Sequence, residues 1–157
     1  MNANAFTHVQ RFAWVWFIFG YAIAGMMIWG ALAGTAEQKG TLWAGIFVAL
    51  LTFVGRITRL EISIDSEGIS YQWRPFQKKP VVFKKSDINF LTITRYPFLG
   101  YGYRVSAKYG TVQNARGGIG LWLKTKNVES YLLGISDVKG VRDALKKHGY
   151  EVASSDH

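Results

Sequence analysis

Cysteine is absent from the 157 residues, and proline and histidine occur only three times each. Without cysteine, disulfides and thiolate zinc sites are excluded, and the redox compartment is left open. The histidines, His8, His148 and His157, are scattered along the chain, which leaves little material for a metal site. We therefore expect neither a metal ion nor a cofactor.

Acidic residues are scarce as well, with ten Asp and Glu against 19 Lys and Arg and a formal net charge of +9. This charge indicates an anionic partner, either nucleic acid or a membrane surface. The aromatic share of 15%, with six tryptophans, favours the membrane, because Trp rings concentrate at membrane interfaces. Nucleic acid is not expected as a partner, since the sequence shows neither a recognition helix nor an exposed aromatic strand motif.

Two long segments lack charge altogether. The first, "FAWVWFIFGYAIAGMMIWGALAGTA", covers residues 12–36, and the second, "GTLWAGIFVALLTFVG", covers residues 40–55. A bilayer core needs about 20 apolar residues in a helix, which the first segment supplies, and flanking arginines extend the second by snorkelling. We predict a transmembrane helical hairpin in residues 1–59, with helices at about 12–35 and 41–58.

Basic residues flank the hairpin at its outer ends, with Arg11 before the first helix and Arg56 and Arg59 after the second. Because Lys and Arg accumulate on the cytoplasmic side, both termini are expected in the cytoplasm and the protein in the cell inner membrane. Gly30 and Gly34 stand four residues apart, the spacing of a close helix contact, so a homo-oligomer through the membrane helices stays open.

Two alternatives to a membrane hairpin fit less well. A secretory signal peptide ending at "ALA", residues 31–33, would be shorter than the first segment and would not be followed at once by a second one. A buried helical hairpin of a soluble protein would carry a polar face, which neither segment has.

From Leu60 the apolar residues alternate with polar ones, which predicts strands. "LEISID" and "ISYQWR" flank the turn "SEG", where Gly68 is available for positive φ. We predict about seven strands, and then an amphipathic helix in "SDVKGVRDALKKHG" with Ser136 as N-cap and Gly149 as stop. The predicted fold is a membrane-anchored α+β chain: an antiparallel barrel or sandwich capped by the C-terminal helix in 60–149, then a disordered tail at 150–157.

The stretch "ARGGIGLW" raises the question of a phosphate-binding loop. A Walker loop requires Gly-Lys-Ser/Thr, and a dinucleotide fingerprint must open a helix at the phosphate. Here the glycines precede a stretch of period two, which is a strand. Gly117 and Gly118 are therefore predicted to supply turn dihedrals rather than a phosphate site.

The stretches "ISIDSEGISYQWRPFQKK", "YPFLGYGYR" and "GGIGLWLKTKN" together resemble small bacterial membrane proteins in which two membrane helices precede a pleckstrin-homology-like (PH-like) domain. The resemblance covers about Leu60 to His148 and implies a PH-like barrel, an inner-membrane location and no known catalysis. The chain departs from the family at "GYGY", where members often carry Gly-Gly-Trp-Gly, and at Gly134-Ile135, where they carry Gly-Thr.

One loop and its flanking strand concentrate basic residues around an aromatic ring. The candidate lipid- or partner-binding residues are Arg74, Phe76, Lys78, Lys79, Lys84 and Lys85. Beneath an anionic bilayer each such cation contributes about 1 kcal/mol, with Phe76 inserting. Positive-inside bias alone also explains the cluster. The acidic turn "DSEG" stands where PH domains that bind phosphoinositides carry basic residues, so that specificity does not carry over.

Catalytic constellations are not apparent in the sequence. None of the carboxylates stands beside a histidine, and Gly-x-Ser-x-Gly is absent. We therefore predict a non-catalytic membrane protein that presents a binding module for an unidentified protein partner, acting as a scaffold or regulator. Contact with anionic lipid through the basic loop is the alternative, and an enzyme of unknown type is a second one. An exposed strand edge, or the groove beside the C-terminal helix, is the expected peptide site.

Overall fold

The computed structural model describes residues 5–34, 39–97, 101–116 and 118–153. The chain divides into a helical unit, Phe12–Thr58, and a β unit that is built from the chain on both sides of it. The predicted domain 1–59 differs from this division, because a strand at Phe6–Arg11 precedes the helices and belongs to the β unit.

The helical unit contains helices α1 (Trp14–Ala33) and α2 (Lys39–Ile57). Both are long and apolar enough to cross a membrane. Only Ala24 of α1 is buried, so the apolar side chains of that helix face outward. The charge-free segments therefore predicted both helices correctly to within about two residues at each end, the usual uncertainty of a helix boundary. Three residues, 37–39, separate the two charge-free segments; the first two lie outside the described residues, and the third begins α2.

Small residues bring α1 and α2 into close contact. A Cβ at Gly20 would overlap the side chain of Thr52, and one at Gly45 would lie 2.9 Å from Ile28. A Cβ at Gly30, in contrast, would meet nothing within 4 Å, and Gly34 is the C-cap of α1 rather than a residue of its face. The contact within the hairpin therefore uses other glycines than the predicted pair.

The β unit consists of strands and one helix. In chain order they are β1 (Phe6–Arg11), β2 (Arg59–Ile64), β3 (Gly68–Arg74), β4 (Val81–Lys84), β5 (Ile88–Arg95), β6 (Gly102–Ser106), β7 (Gly110–Asn114), β8 (Ile119–Thr125), β9 (Ser130–Gly134) and α3 (Val138–Lys147). The strands form a four-stranded sheet, β1-β2-β3-β4, and a five-stranded sheet, β5-β8-β9-β7-β6. Of the predicted barrel or sandwich, the closed barrel is wrong, because the described strands form two separate sheets.

The strand count exceeds the predicted number for two reasons. β1 precedes the membrane helices, and β7 lies between the alternating stretches 101–109 and 119–125 that predict strands. The prediction of a purely antiparallel arrangement is also wrong at one pair, because β7 and β9 run parallel, with Thr111 opposite Tyr131. Their connection contains β8, as a parallel pair requires a crossover.

The helical unit is an insertion between two neighbouring strands. β1 and β2 pair antiparallel from Phe6 opposite Ile64 to Arg11 opposite Arg59. The chain therefore leaves the sheet at the end of β1, forms both helices, and returns to the same end of the sheet at the start of β2.

The core confirms the predicted alternation. Leu60, Ile62 and Ile64 of β2 are fully buried, as are Leu121 and Leu123 of β8. Each such side chain contributes about 1.5–3 kcal/mol relative to an exposed position. Helix α3 adds its own apolar stripe, of which Val141 and Leu145 are fully buried.

Local details differ at the ends of α3 and in the first turn. Asp137, not Ser136, is the N-cap of α3, and its side chain accepts a hydrogen bond from the Gly140 N–H at 2.9 Å. Gly149 has φ +68° and ends the helix as predicted. Gly68 does not adopt positive φ; it is required because a Cβ there would collide with the Phe83 carbonyl oxygen.

The predicted disordered tail is ordered as far as residue 153. Tyr150 is buried, and its hydroxyl donates to the Asp65 carbonyl oxygen at 2.9 Å. Burial, with the nearby Asp65 carboxylate, raises the pKa of Tyr150 to about 12. Ala153 completes the segment, because its N–H donates to the Leu91 carbonyl and its own carbonyl accepts from Thr92. Residues 154–157 lie outside the described residues.

Candidate functional site

The basic cluster predicted from the sequence divides into exposed and engaged residues. Phe76 is 61% exposed in the β3–β4 turn. Lys78 and Lys79 are exposed in the same turn, and Lys84 is exposed at the other end of β4, opposite Gly68. These four residues, which we call the basic hairpin, remain a candidate surface.

The other two predicted residues have partners inside the β unit. The Arg74 Nε donates to Glu61 Oε2 at 2.9 Å. The Lys85 Nζ donates to the His148 carbonyl at 2.7 Å and lies 4.9 Å from the centre of the Tyr150 ring. Lys85 thus holds the C-terminal segment in place, and we remove it from the candidate surface.

Strand β6 is an outer strand of the five-stranded sheet and carries exposed apolar side chains. Tyr103 is 65% exposed and Val105 is 73% exposed, on the same face of the strand. Tyr103 lies opposite Gln113 of β7, whose side chain accepts a hydrogen bond from Trp73 Nε1 at 2.7 Å. The face that carries Tyr103 and Val105 therefore continues the face on which β7 bonds to the four-stranded sheet.

An aromatic cluster from both sheets lies beside this strand. Phe83 of β4 stands 4.6 Å from Tyr131 of β9 and 6.0 Å from Tyr71 of β3, measured between ring centroids. Burial raises the pKa of both Tyr71 and Tyr131, and the nearby Tyr103 adds to each shift. Both hydroxyls are engaged within the β unit: that of Tyr131 donates to Glu129 Oε2 at 3.1 Å, and that of Tyr71 accepts from Gln113 Nε2 at 3.4 Å.

The stretch that forms β5, β6, β7 and β8 contains no carboxylate. Between residues 88 and 128 there is no Asp or Glu, whereas six basic residues occur: Arg95, Arg104, Lys108, Arg116, Lys124 and Lys126. Arg104 belongs to β6 itself, and Lys108 follows in the turn to β7. An extended partner at this edge would meet these two cations, whereas β5 and β8 lie at the other side of the sheet.

Two polar residues of β1, which the sequence did not single out, join the sheets to each other. Gln10 is 1% exposed; its Nε2 donates to the Arg116 carbonyl at 3.0 Å, and its Oε1 accepts from the Ala115 N–H at 2.8 Å. His8 is also buried, and its Nε2 accepts the Ser136 N–H at 3.1 Å. The alternation in "FTHVQR" could have indicated a strand, but the side chains on its inward side, His8 and Gln10, are polar.

The His8 contact predicts acid sensitivity. Burial lowers the pKa of His8 below 6.5, although Asp137 acts in the opposite direction. As the pH falls below that ordinary value, the unfolded chain binds a proton before the folded chain does, so stability decreases until the pH has passed the lowered pKa. Thermal unfolding of the full chain in detergent should show a larger decrease in Tm between about pH 7.5 and pH 5 than unfolding of His8→Gln.

Glutamine keeps an acceptor for the Ser136 N–H but does not titrate, so other groups change equally in both proteins. Equal decreases in Tm would show that the imidazole does not carry the pH dependence.

A pocket of about 470 Å³ bears on the enzymatic alternative. It lies between the start of β1 and α3, and Asp143, Lys147 and His148 line it. In acid–base or nucleophilic catalysis, side chains of these types are oriented toward each other by hydrogen bonds. Within the described residues no hydrogen bond links these three side chains, and no group of three His, Asp or Glu residues would hold a metal ion.

Comparison with known proteins does not add a family. No family model matches the chain, and neither curated proteins nor solved structures give a significant match. The resemblance to PH-like membrane proteins therefore stays a prediction, and the geometry of the β unit carries the functional argument.

Proposed function

We propose that the protein is an integral protein of the bacterial inner membrane that presents a non-catalytic, PH-like binding module to the cytoplasm. The module binds an extended, acidic segment of a protein partner along the outer edge of β6, as a scaffold or regulator. The observation that carries this proposal is the exposure of Tyr103 and Val105, 65% and 73%, on β6, an outer strand of the five-stranded sheet.

Strand addition explains how such an edge recognises a partner. The backbone of an extended segment supplies hydrogen bonds to the edge, and alternate side chains supply specificity. Tyr103 and Val105 would contact apolar residues of the partner, at every second position. Arg104 in β6 and Lys108 in the turn that follows it favour acidic residues between them.

The insertion of the helices supports a single-sided topology. β1 and β2 are neighbours in one sheet, so the chain before α1 and the chain after α2 must lie on the same side of the membrane. Two spans satisfy this requirement. The basic residues Arg11, Arg56 and Arg59 at these ends favour the cytoplasmic side.

Changing Val105 tests the site. A photoreactive residue in place of Tyr103 in the full chain should yield one specific protein adduct in intact membranes. Val105→Lys should lower the adduct yield by removing the apolar contact, and Val105→Glu should lower it further, by about tenfold or more in all, because it also repels an acidic partner.

Val82→Glu is the matched control, because Val82 is 59% exposed on β4, an outer strand of the other sheet. It should leave the adduct unchanged. A Val105→Lys variant that loses more than Val105→Glu would contradict an acidic partner, and equal loss from Val82→Glu would contradict the β6 site.

Lipid contact by the basic hairpin is the second candidate function. The exposure of Phe76, 61%, in the same turn as the exposed Lys78 and Lys79 favours it. If this function holds, Lys78→Gln/Lys79→Gln/Lys84→Gln in the full chain should weaken the binding of phosphatidylglycerol in detergent micelles.

A further inference from the structure

Three arginines form one row across the four-stranded sheet. Arg59 lies opposite Arg11 of β1 on one side and opposite Arg74 of β3 on the other. Because side chains alternate along a strand, the three point to the same face. Their strand neighbours Gln10 and Leu60 are buried, so this face is the outward one.

Glu61 holds two members of the row in place. The Arg59 Nε donates to Oε1 at 2.7 Å and the Arg74 Nε donates to Oε2 at 2.9 Å. The Glu61 side chain is 18% exposed, whereas those of Arg59 and Arg74 are 40% and 47% exposed. A guanidinium has five N–H donors, and each of these two uses its Nε on Glu61, so both Nη groups remain as donors toward solvent.

The row also has a net positive charge that an anion would match. Three guanidinium groups and one carboxylate give 3 − 1 = +2 for Arg11, Arg59, Arg74 and Glu61. Glu61 is thus an organising group rather than a neutralising one, since a carboxylate of unit charge cannot balance three cations.

Chain connectivity places the row close to the membrane ends of the helices. Arg11 stands three residues before Trp14, the first residue of α1, and Arg59 stands two residues after Ile57, the last residue of α2. Consecutive Cα atoms are about 3.8 Å apart, so Arg11 lies within about 11 Å of α1 and Arg59 within about 8 Å of α2. Lipid headgroups occupy this depth when the helices span a bilayer.

We propose that Arg11, Arg59 and Arg74 form a binding site for the phosphate group of an anionic phospholipid headgroup. The planar fork of arginine binds two phosphate oxygens at once, and two of the three forks are already held by Glu61. The proposal rests on the membrane insertion of the proposed function, and it is independent of the partner at β6.

Lipid binding to the full chain in detergent micelles tests the site. Phosphatidylglycerol is titrated, and native mass spectrometry measures the occupied fraction of each variant. Arg11→Gln/Arg59→Gln/Arg74→Gln should bind about tenfold more weakly or worse, because each charge-assisted hydrogen bond is lost. Arg11→Lys/Arg59→Lys/Arg74→Lys keeps the charge and a donor for Glu61 but not the fork, and should also bind several-fold more weakly.

The basic hairpin provides a control of equal charge. Lys78→Gln/Lys79→Gln/Lys84→Gln removes three cations as well, and it should retain wild-type binding. Equal loss from both glutamine triples would show diffuse charge attraction and overturn the site. If only Lys78→Gln/Lys79→Gln/Lys84→Gln weakened binding, the basic hairpin and not the arginine row would be the site. If Arg11→Lys/Arg59→Lys/Arg74→Lys bound with wild-type affinity, the guanidinium fork would have no role.

Two further measurements distinguish failure of the proposed headgroup site from failure of the proposed membrane insertion. Inorganic phosphate at the lipid concentration should not displace phosphatidylglycerol, because the site lies next to the bilayer and reads a headgroup; displacement would overturn the headgroup assignment. A chain that purifies without detergent would contradict membrane insertion, and so the proposed function, before any lipid is added.

Discussion

Replacing Gly110 by alanine is expected to destabilise the β unit by about 2–5 kcal/mol, from left-handed strain and overpacking combined. Gly110 opens β7 with φ +69°, and a Cβ there would collide with the Ser130 carbonyl oxygen at the start of β9. Gly110 and Ser130 lie in the paired strands β7 and β9, so the backbone cannot easily move to relieve the collision. Thermal unfolding of the full chain in detergent should show a Tm lower by about 10 °C or more.

Gly102 offers a control for the strain alone. Its φ is +87°, but a Cβ there would meet nothing within 4 Å. Gly102→Ala should therefore cost only about 1–2 kcal/mol, from the left-handed conformation. Similar losses from both changes would mean that the close approach to Ser130 does not limit position 110.

The contact between Gly110 and Ser130 is important because it fixes the position of β6, the proposed binding edge. The Ser130 hydroxyl donates to the Tyr109 carbonyl at 2.9 Å and accepts from Trp122 Nε1 at 2.8 Å. The turn between β6 and β7 is thereby attached to β8 and β9. An edge strand binds a partner well when it is already ordered, because less conformational entropy is then lost on association.

Patterns that depend only on neighbouring residues predicted much of this fold. The absence of charge over residues 12–36 and 40–55 predicts α1 and α2, since length and apolarity alone decide such helices. The alternation of "LEISID" and "ISYQWR" predicts β2 and β3, whose inward residues Leu60 and Tyr71 are buried as expected. Both signals are local, so no partner has to be known.

Strand β1 escaped prediction because its alternation is reversed in polarity. Its buried side chains are His8 and Gln10, whereas Val9, on the opposite side, is 43% exposed. Its partner β2 begins only after the whole helical unit, Phe12–Thr58. A strand whose inward residues are polar and whose partner is distant in sequence carries no hydrophobic signal of its own.

The candidate site was predicted only in part for a similar reason. Sequence identifies Arg74 and Lys85 as cations, but their partners lie far along the chain: Glu61 is 13 residues from Arg74, and His148 is 63 residues from Lys85. Whether a cation is exposed or engaged depends on such tertiary contacts. The arginine row has the same origin, since it arises from the register between strands.

Replacing Gln10 by leucine is expected to destabilise the β unit by about 2–4 kcal/mol, because one buried and one partly buried polar group lose their partner at nearly constant volume. The groups are the Ala115 N–H and the Arg116 carbonyl, which Gln10 joins at 2.8 and 3.0 Å. Chemical unfolding of the full chain in detergent measures the loss. Hydrogen exchange at the Ala115 amide should accelerate as well, since its acceptor is removed.

Thr7→Val on the outward face of β1 is the control, because the Thr7 side chain makes only an exposed 3.4 Å contact with Ser63. It should change stability by less than about 0.5 kcal/mol. If Gln10→Leu lost no more than Thr7→Val, the backbone ladder with β2 would hold β1 without the side-chain bridge. If the bridge is required, a strand that leads directly into α1 is attached by a side chain to the segment that follows β7.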